Sequence, residues 1–569
     1  MHQGQSTPYK SATVPVHIVD TQYGELKGKE VWIGFHPVTG SLTVPSEYEL
    51  IIKPNDKEKS NKTEIIGLGS SVDDYRAVIK VDGTLNVAGT GDEKILFTEG
   101  KNGESFEAIS TSLDDPLGTD ISNKWKGIIL NEGSKASIKN AEIRYAKTGL
   151  EINGTTEGAL ENITIKNCSE NGIKTTKTVT LSNAVMENCR TGISISESGS
   201  VSSSDKVTIS ECNTGIESEG NVSIYGVDIK NETTAGENGI VIRKGSAGQF
   251  NGGITISNYE NGILMSGKTL AAGAISITGI TNTGIKSAGL SAKSLSMKGN
   301  KAEKGLESSE DVTVTKQVEA EGFASAILMA GKKLKAGNGI TVTGAGTKGI
   351  ECGELEAQGI SITGSGTTGL KSAGNVTTGD VSVSGFVTGI SFSGNTMSCG
   401  AVSVSGSTVK GIATSGSINA GTSKIEVKAS AGKALEAGSG AGITCGELKL
   451  TGSGKTGLDS DGNIDAGERI TVTGYRNGID SSGEITAGVI TVTVPEGTES
   501  ACGILNEGEI ITDTVTVSGF MDKGLEVRNG SLETGSITIT DGKRGFILNN
   551  GTLNRKAGKE SLRWKKHGT

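Results

Sequence analysis

Four sets of residues in this 569-residue chain have types and spacings that could do chemistry. The first is Asp114, Asp115 and Asp120, close before Trp125. Carboxylates beside an aromatic ring could grip a sugar, and a pair of them about 5 to 10 Å apart could cleave a glycosidic bond. The plainer reading is a solvated loop followed by a core tryptophan. The second set is Asp459-Ser-Asp461-Gly-Asn-Ile-Asp465 with Glu468 downstream, oxygen donors arranged like a calcium loop. Yet GLDSDGNIDAG has the layout of GLKSAGNVTTG and GIDSSGEITAG elsewhere in the chain. That layout makes Ile464 an inward strand residue and leaves the acids on a flat strand that cannot wrap round an ion. The third set is Cys168, Cys189 and Cys212, in nearly the same slot of NCSENGI, NCRTGI and ECNTGI. Stacked thiols could bind metal or exchange redox state. They could equally be an interior ladder of small apolar groups, because free Cys is among the most buried residues.

The fourth set is a series of Thr-x-Thr and Ser-x-Ser pairs, including Thr341/Thr343, Ser382/Ser384, Ser403/Ser405 and Thr471/Thr473. Outward hydroxyls at this spacing could hydrogen-bond a glycan, a protein or ice. They are also what β-propensity and solubility favour on an exposed strand. Ser often replaces Thr, and Glu426 and Lys449 interrupt the series.

All four sets depend on a repeat for their placement. A small residue, usually Gly, followed by an aliphatic residue returns from Ile128, Leu150 and Ile173 through to Leu525 and, as an aromatic, Phe546. The intervals run from 20 to 25 residues and average 22. Such a period means one supersecondary unit stacked many times. Within a period, apolar residues alternate with polar ones, as at Ile340/Val342, Ile470/Val472 and Ile537/Ile539. Alternation marks strands with one face inward. A Gly often follows, as at Gly279, Gly344, Gly364, Gly385, Gly406, Gly474 and Gly519, where it would permit a corner at positive φ. No 3.6-residue period occurs, so the spacing predicts an all-β parallel solenoid with about three short strands per coil and 20 or more coils. Residues 1–74 break the period and read as an N-terminal β-rich cap. Residues 75–125 read as the first coils with an irregular insertion at 99–124. Residues 126–550 are the repeats, and 551–569 form a basic tail or cap.

Composition narrows the function classes. Gly numbers 86 and Pro only 7, which fits many tight turns between strands. The net charge of −9 argues against a nucleic-acid partner, which would require a basic stripe. No 18-residue apolar run exists, so no membrane-spanning helix is expected. Seven Cys without paired spacing do not suggest a disulfide framework. The first 20 residues hold no apolar signal-peptide core. Either the chain is intracellular or the sequence is a mature or trimmed form, and the second reading, with an extracellular or cell-surface location, is the one expected.

The runs GTLNVAGTGDEKILFTEG, WKGIILNEGSKASIKNAEIRYAKTGLEI and ENITIKNCSENGI resemble the opening coils of bacterial right-handed parallel β-helix proteins with a pectate-lyase-like fold. The resemblance is good from Tyr75 to about Arg190 and beyond that is one of period only. It implies a superfamily that holds polysaccharide lyases and hydrolases, phage tailspikes and adhesin-like surface proteins. The Gly-His-Gly and Arg-Ile-Lys motifs of its polygalacturonase-like members do not occur here, and no His lies between His36 and His567.

The reading favours a non-catalytic, rod-like surface or secreted protein, a spacer or adhesin. Its flat β faces would bind a glycan or a host or matrix protein through Trp125, Thr341, Thr343, Thr471 and Thr473. The alternative is a polysaccharide-degrading enzyme or tailspike-like depolymerase using Asp114, Asp115 or Asp120. Ice binding is a further alternative. No cofactor is expected, and the weak metal candidate is Asp459, Asp461 and Asp465. The ligand, the oligomeric state and the functional face stay open at this stage.

Overall fold

The computed structural model describes residues 21–55, 62–69, 73, 76–100, 124–244, 248–329, 331–430, 432–495, 501–519, 521–556 and 561–565. Asp114, Asp115 and Asp120 lie outside the described residues. The chain divides into two units, Met1–Arg190 and Thr191–Thr569. Among the described residues there is no α-helix, and every pairing between named strands is parallel within each unit.

In unit 1 each coil contributes three strands. One column runs through Val78–Val81, Gly127–Leu130, Thr148–Ile152 and Asn171–Thr175. A second runs through Glu30–Trp32, Glu49–Ile52, Thr84–Ala88 and Lys135–Lys139. The third runs through Glu64–Gly67, Ile95–Glu99, Ala141–Arg144 and Thr164–Lys166. Stacking already begins at Gln22–Glu25, which pairs with Phe35–Val44. The period hid this because the connections among residues 22–75 vary in length. Alternation within Glu49–Ile52 was nonetheless enough to build a coil, with Leu50 and Ile52 buried.

In unit 2 the same three-column plan continues. The aliphatic marks stack in register, Ile216 on Ile240, Ile240 on Ile263, and so on through Leu525 on Phe546. Nearly all are fully buried. Each buried Ile or Leu contributes roughly 1.5 to 3 kcal/mol against leaving it in water. The Gly before most marks, replaced by Ala326 and Ala434 before Ile327 and Leu435, has a steric cause. A Cβ on Gly239 would sit 2.7 Å from the Gly262 carbonyl oxygen and 2.8 Å from Ile256 Cγ2. This slot is a close approach between neighbouring coils and the inward strand. At the C-terminal end, Thr552–Arg555 and Ser561–Lys565 pair with Ser531–Thr540 as strands, so the basic tail keeps stacking.

Corners differ along the chain. In unit 1 the turns between the second and third columns hold Asn140, Asn162 and Asn183, at φ between 50° and 53°, and those after the third hold Tyr145, Asn167 and Asn188, at φ between 52° and 57°. Asn tolerates this left-handed region because its short polar side chain bonds locally. Here Asn162 Nδ2 donates to Asn140 Oδ1 at 2.6 Å and Asn183 Nδ2 to Asn162 Oδ1 at 3.1 Å. In unit 2, Gly279, Gly344, Gly385, Gly406, Gly474 and Gly519 adopt positive φ, as their spacing predicts. Gly364 does not. Its glycine is required by the Phe386 ring and the Ala345 carbonyl, which occupy the space a side chain would need.

The contact slot and an open slot make a direct comparison. Gly239→Ala should lower stability by about 2 kcal/mol through overpacking. Gly346→Ala, where a Cβ meets only ordinary contact at 3.6 Å, should be neutral or slightly stabilising. Urea unfolding midpoints check this, and equal midpoints for the two variants would refute the steric account.

Candidate functional site

The outward residues of the third column in unit 2 form a ladder of hydroxyls. Alternation directs Ile340 and Val342 inward, which turns Thr341 and Thr343 outward, and both are exposed. Parallel register then stacks Thr341 on Ser361, Ser361 on Ser382 and Ser382 on Ser403. Further along, Thr471 stacks on Thr491 and Thr491 on Thr516, with Thr473 on Thr493 beside them. Thr471 and Thr473 are half-buried. Between the two runs Glu426 and Lys449 stand opposite each other in register. Glu426 is paired with Lys449 at 3.4 Å, Lys424 at 3.3 Å and Lys428 at 3.6 Å. These lysines hold its carboxyl below the usual range against the opposing effect of burial.

A shallow open groove of about 680 Å³ follows the first run. Its floor is Gly339, Gly359 and Ala401, and its wall is Thr341, Ser361, Ser382 and Ser403. None of these four hydroxyls makes a side-chain hydrogen bond among the described residues, so each can offer a donor and acceptors to a ligand. Two carboxylates line the groove, Glu319 and Asp380. Glu319 accepts from Gln317 Nε2 at 3.2 Å and Ser296 Oγ at 3.3 Å. Asp380 accepts from the Ala401 amide at 2.9 Å. The register places them about three coils apart, roughly 14 Å at 4.8 Å per coil, beyond the separation of a glycosidase pair. A second groove in unit 2, of about 650 Å³, is lined by Lys286, Glu307, Lys348 and Glu351. Its charges are satisfied within the chain, Lys286 with Glu307 at 3.7 Å and Lys348 with Glu351 at 2.6 Å.

The calcium-like segment does not form a cage. Asp459 is ion-paired with Lys433 at 2.5 Å, and Asp461 accepts from Ser482 Oγ at 2.7 Å. Asp465 is exposed on a strand between Thr444 and Thr486, and Ile464 is buried beside it. Among the described residues no three His, Cys, Asp or Glu side chains are placed to hold a metal ion.

Trp125 stands in the core of unit 1 and not on a surface. It is fully buried, its Nε1 donates to the Arg144 carbonyl at 2.9 Å, and its ring packs on Gly67. Sugar stacking is therefore not available to it in this structure. What the sequence reading missed lies beside it. Lys124 is buried, donates its Nζ to the Asn167 carbonyl oxygen, and sits 5.3 Å from the centre of the Tyr145 ring. Burial lowers its pKa. Glu99 is pushed up to about 7, chiefly by burial and against the pull of Lys124 and Arg76. Nothing in the local sequence distinguishes these two residues from solvated ones. Burial likewise pushes up the thiols of the buried Cys352 and Cys445 and of the half-buried Cys502, each to about 12. They are protonated at neutral pH.

Glu99 gives a pH test. Its folded pKa lies above the ordinary 4.5, so the folded chain keeps a proton that the unfolded chain releases. The cost of burying its charge therefore appears as pH rises from 4.5 to about 7. Glu99→Gln should raise the thermal midpoint relative to wild type at about pH 8. The gain should shrink to nothing near the ordinary carboxylate pKa. A gain of the same size at both ends of this range would refute the assignment.

No α-helix of the described residues is long and apolar enough to cross a membrane. No curated protein and no solved structure matches the chain. Residues 118–270 match the family described as right handed beta helix region. Among the described residues the same plan gives about 22 turns of some 22 residues each. With that match and strands paired in parallel from coil to coil in each unit, the chain is a right-handed parallel β-helix protein, consistent with the pectate-lyase-like superfamily.

Proposed function

We propose that the chain is a non-catalytic binding protein of the secreted or cell-surface kind, a spacer or adhesin. Its unit 2 presents the hydroxyl ladder to a glycan or to a matrix protein. The observation that carries this reading is the column Thr341, Ser361, Ser382 and Ser403, four unpartnered hydroxyls in register along one groove. Such a wall can accept and donate hydrogen bonds along an extended ligand, and each net bond contributes roughly 0.5 to 1.5 kcal/mol. The groove lacks a close carboxylate pair, so it supports binding and supplies no acid–base couple.

The quadruple variant Thr341→Ala, Ser361→Ala, Ser382→Ala, Ser403→Ala should bind its ligand at least about tenfold more weakly, the loss of one to a few net hydrogen bonds. Its unfolding midpoint should move little, because the sites are exposed and unpartnered. A panel of immobilised polysaccharides and matrix proteins reads the first quantity. Unaltered binding by the variant would sink the proposed face. Reducing-sugar or unsaturated-uronide release by the wild type would replace binding with catalysis. Cell fractionation that finds the chain in the cytosol alone would remove its surface placement.

A further inference from the structure

Cys168 and Cys189 occupy equivalent places on successive coils of unit 1. The strands before them stack Ile165 on Met186 and Lys166 on Glu187, an offset of 21 residues that also separates the two cysteines. The backbone bonds continue through the corner, with the Asn167 amide donating to the Glu187 carbonyl at 2.9 Å and the Arg190 amide to the Cys168 carbonyl at 3.3 Å. Both residues are 3% exposed. Each thiol reaches back to the carbonyl two residues before it, Cys168 to Lys166 and Cys189 to Glu187. The two thiols are close enough for Cys189 to raise the pKa of Cys168.

We propose that Cys168 and Cys189 are a crosslinking pair that a small-molecule disulfide oxidises to an intrachain disulfide. Neighbouring coils place equivalent Cα atoms about 4.8 Å apart, inside the 4.4 to 6.8 Å span that disulfides use. From that spacing the Cβ atoms need to approach by about 1 Å to reach the usual disulfide separation. Burial and the neighbouring Cys189 hold the pKa of the Cys168 thiol well above its ordinary value, and Lys124 is the charged group that acts against them. The thiolate is the attacking species. One cysteine attacks the oxidant, forms a mixed disulfide and releases one small thiol. The second then displaces the other small thiol from the mixed disulfide. Two protein S–H bonds are lost and one S–S bond forms, while the oxidant is reduced to two thiols that carry away both protons. The product ties one coil to the next across a corner where main-chain bonds, the Asn188–Asn167 bond and the Lys166–Glu187 ion pair already join them.

The test uses the full chain and oxidised glutathione, followed by denaturation and thiol counting. Wild type should fall from seven free thiols to five, two fewer than the number it starts with. Cys168→Ser and Cys189→Ser should keep all their remaining thiols under the same treatment. Cys212→Ser should lose two, as wild type does. Peptide mapping of oxidised wild type should find residues 168 and 189 joined, which supports the pair even where a serine variant folds poorly. Seven thiols retained by wild type, or a link between any other two cysteines, would overturn the proposal.

Discussion

Parallel pairing in register is the constraint on which the rest of the structure depends. Each strand bonds to its counterpart in the coils on either side, about 4.8 Å away, and the register is kept for many coils. Like therefore stacks on like. Aliphatic residues fall on aliphatic residues and fill the core. Hydroxyl falls on hydroxyl at the surface, asparagine on asparagine at the corners, thiol on thiol beside Lys124. The arrangement concentrates whatever a repeat position contains. One column can thus build a binding wall, and one pair of coils can build a crosslink.

The same rule creates a problem for charge. Glu436, Asp459 and Asp480 follow one another in a single column of unit 2. Lys433 answers the first two, with Glu436 at 2.6 Å and Asp459 at 2.5 Å. Asp480 has its pKa raised by burial and then by Asp459. Elsewhere opposite charges meet across coils, as where Lys174 meets Glu151 at 3.2 Å in unit 1 and Lys206 meets Asp228 at 3.0 Å in unit 2. Such exposed pairs contribute roughly 0.2 to 1 kcal/mol each. Their main service is to avoid the repulsion that stacking of identical charges would cause.

How much of this was legible in the amino-acid sequence depended on whether a residue's neighbour sits at a fixed spacing. The aliphatic marks and the hydroxyl columns were legible, because their partners lie one period away. The ladder of Thr341, Ser361 and Ser382 could be aligned by counting. The left-handed asparagines were harder, because Asn140, Asn162 and Asn183 mark corners only when seen as a column, and glycine drew attention first. Gly364 was misread as a corner, since close approach of Phe386 demands the same residue that positive φ does. Lys124 and Trp125 depended on burial, which a flanking sequence without period does not encode. The acids at 114, 115 and 120 fall in that same stretch and lie outside the described residues.

The Gly-aliphatic slot has one more consequence. Each coil meets its neighbours through nearly the same contacts, so removing one whole period brings two equivalent surfaces together, as Ile412 would meet Leu458 if the coil holding Leu435 were lost. No cavity opens and no hydrogen-bond donor is stranded. Genes built this way can lengthen or shorten by recombination between alike segments while the protein remains foldable.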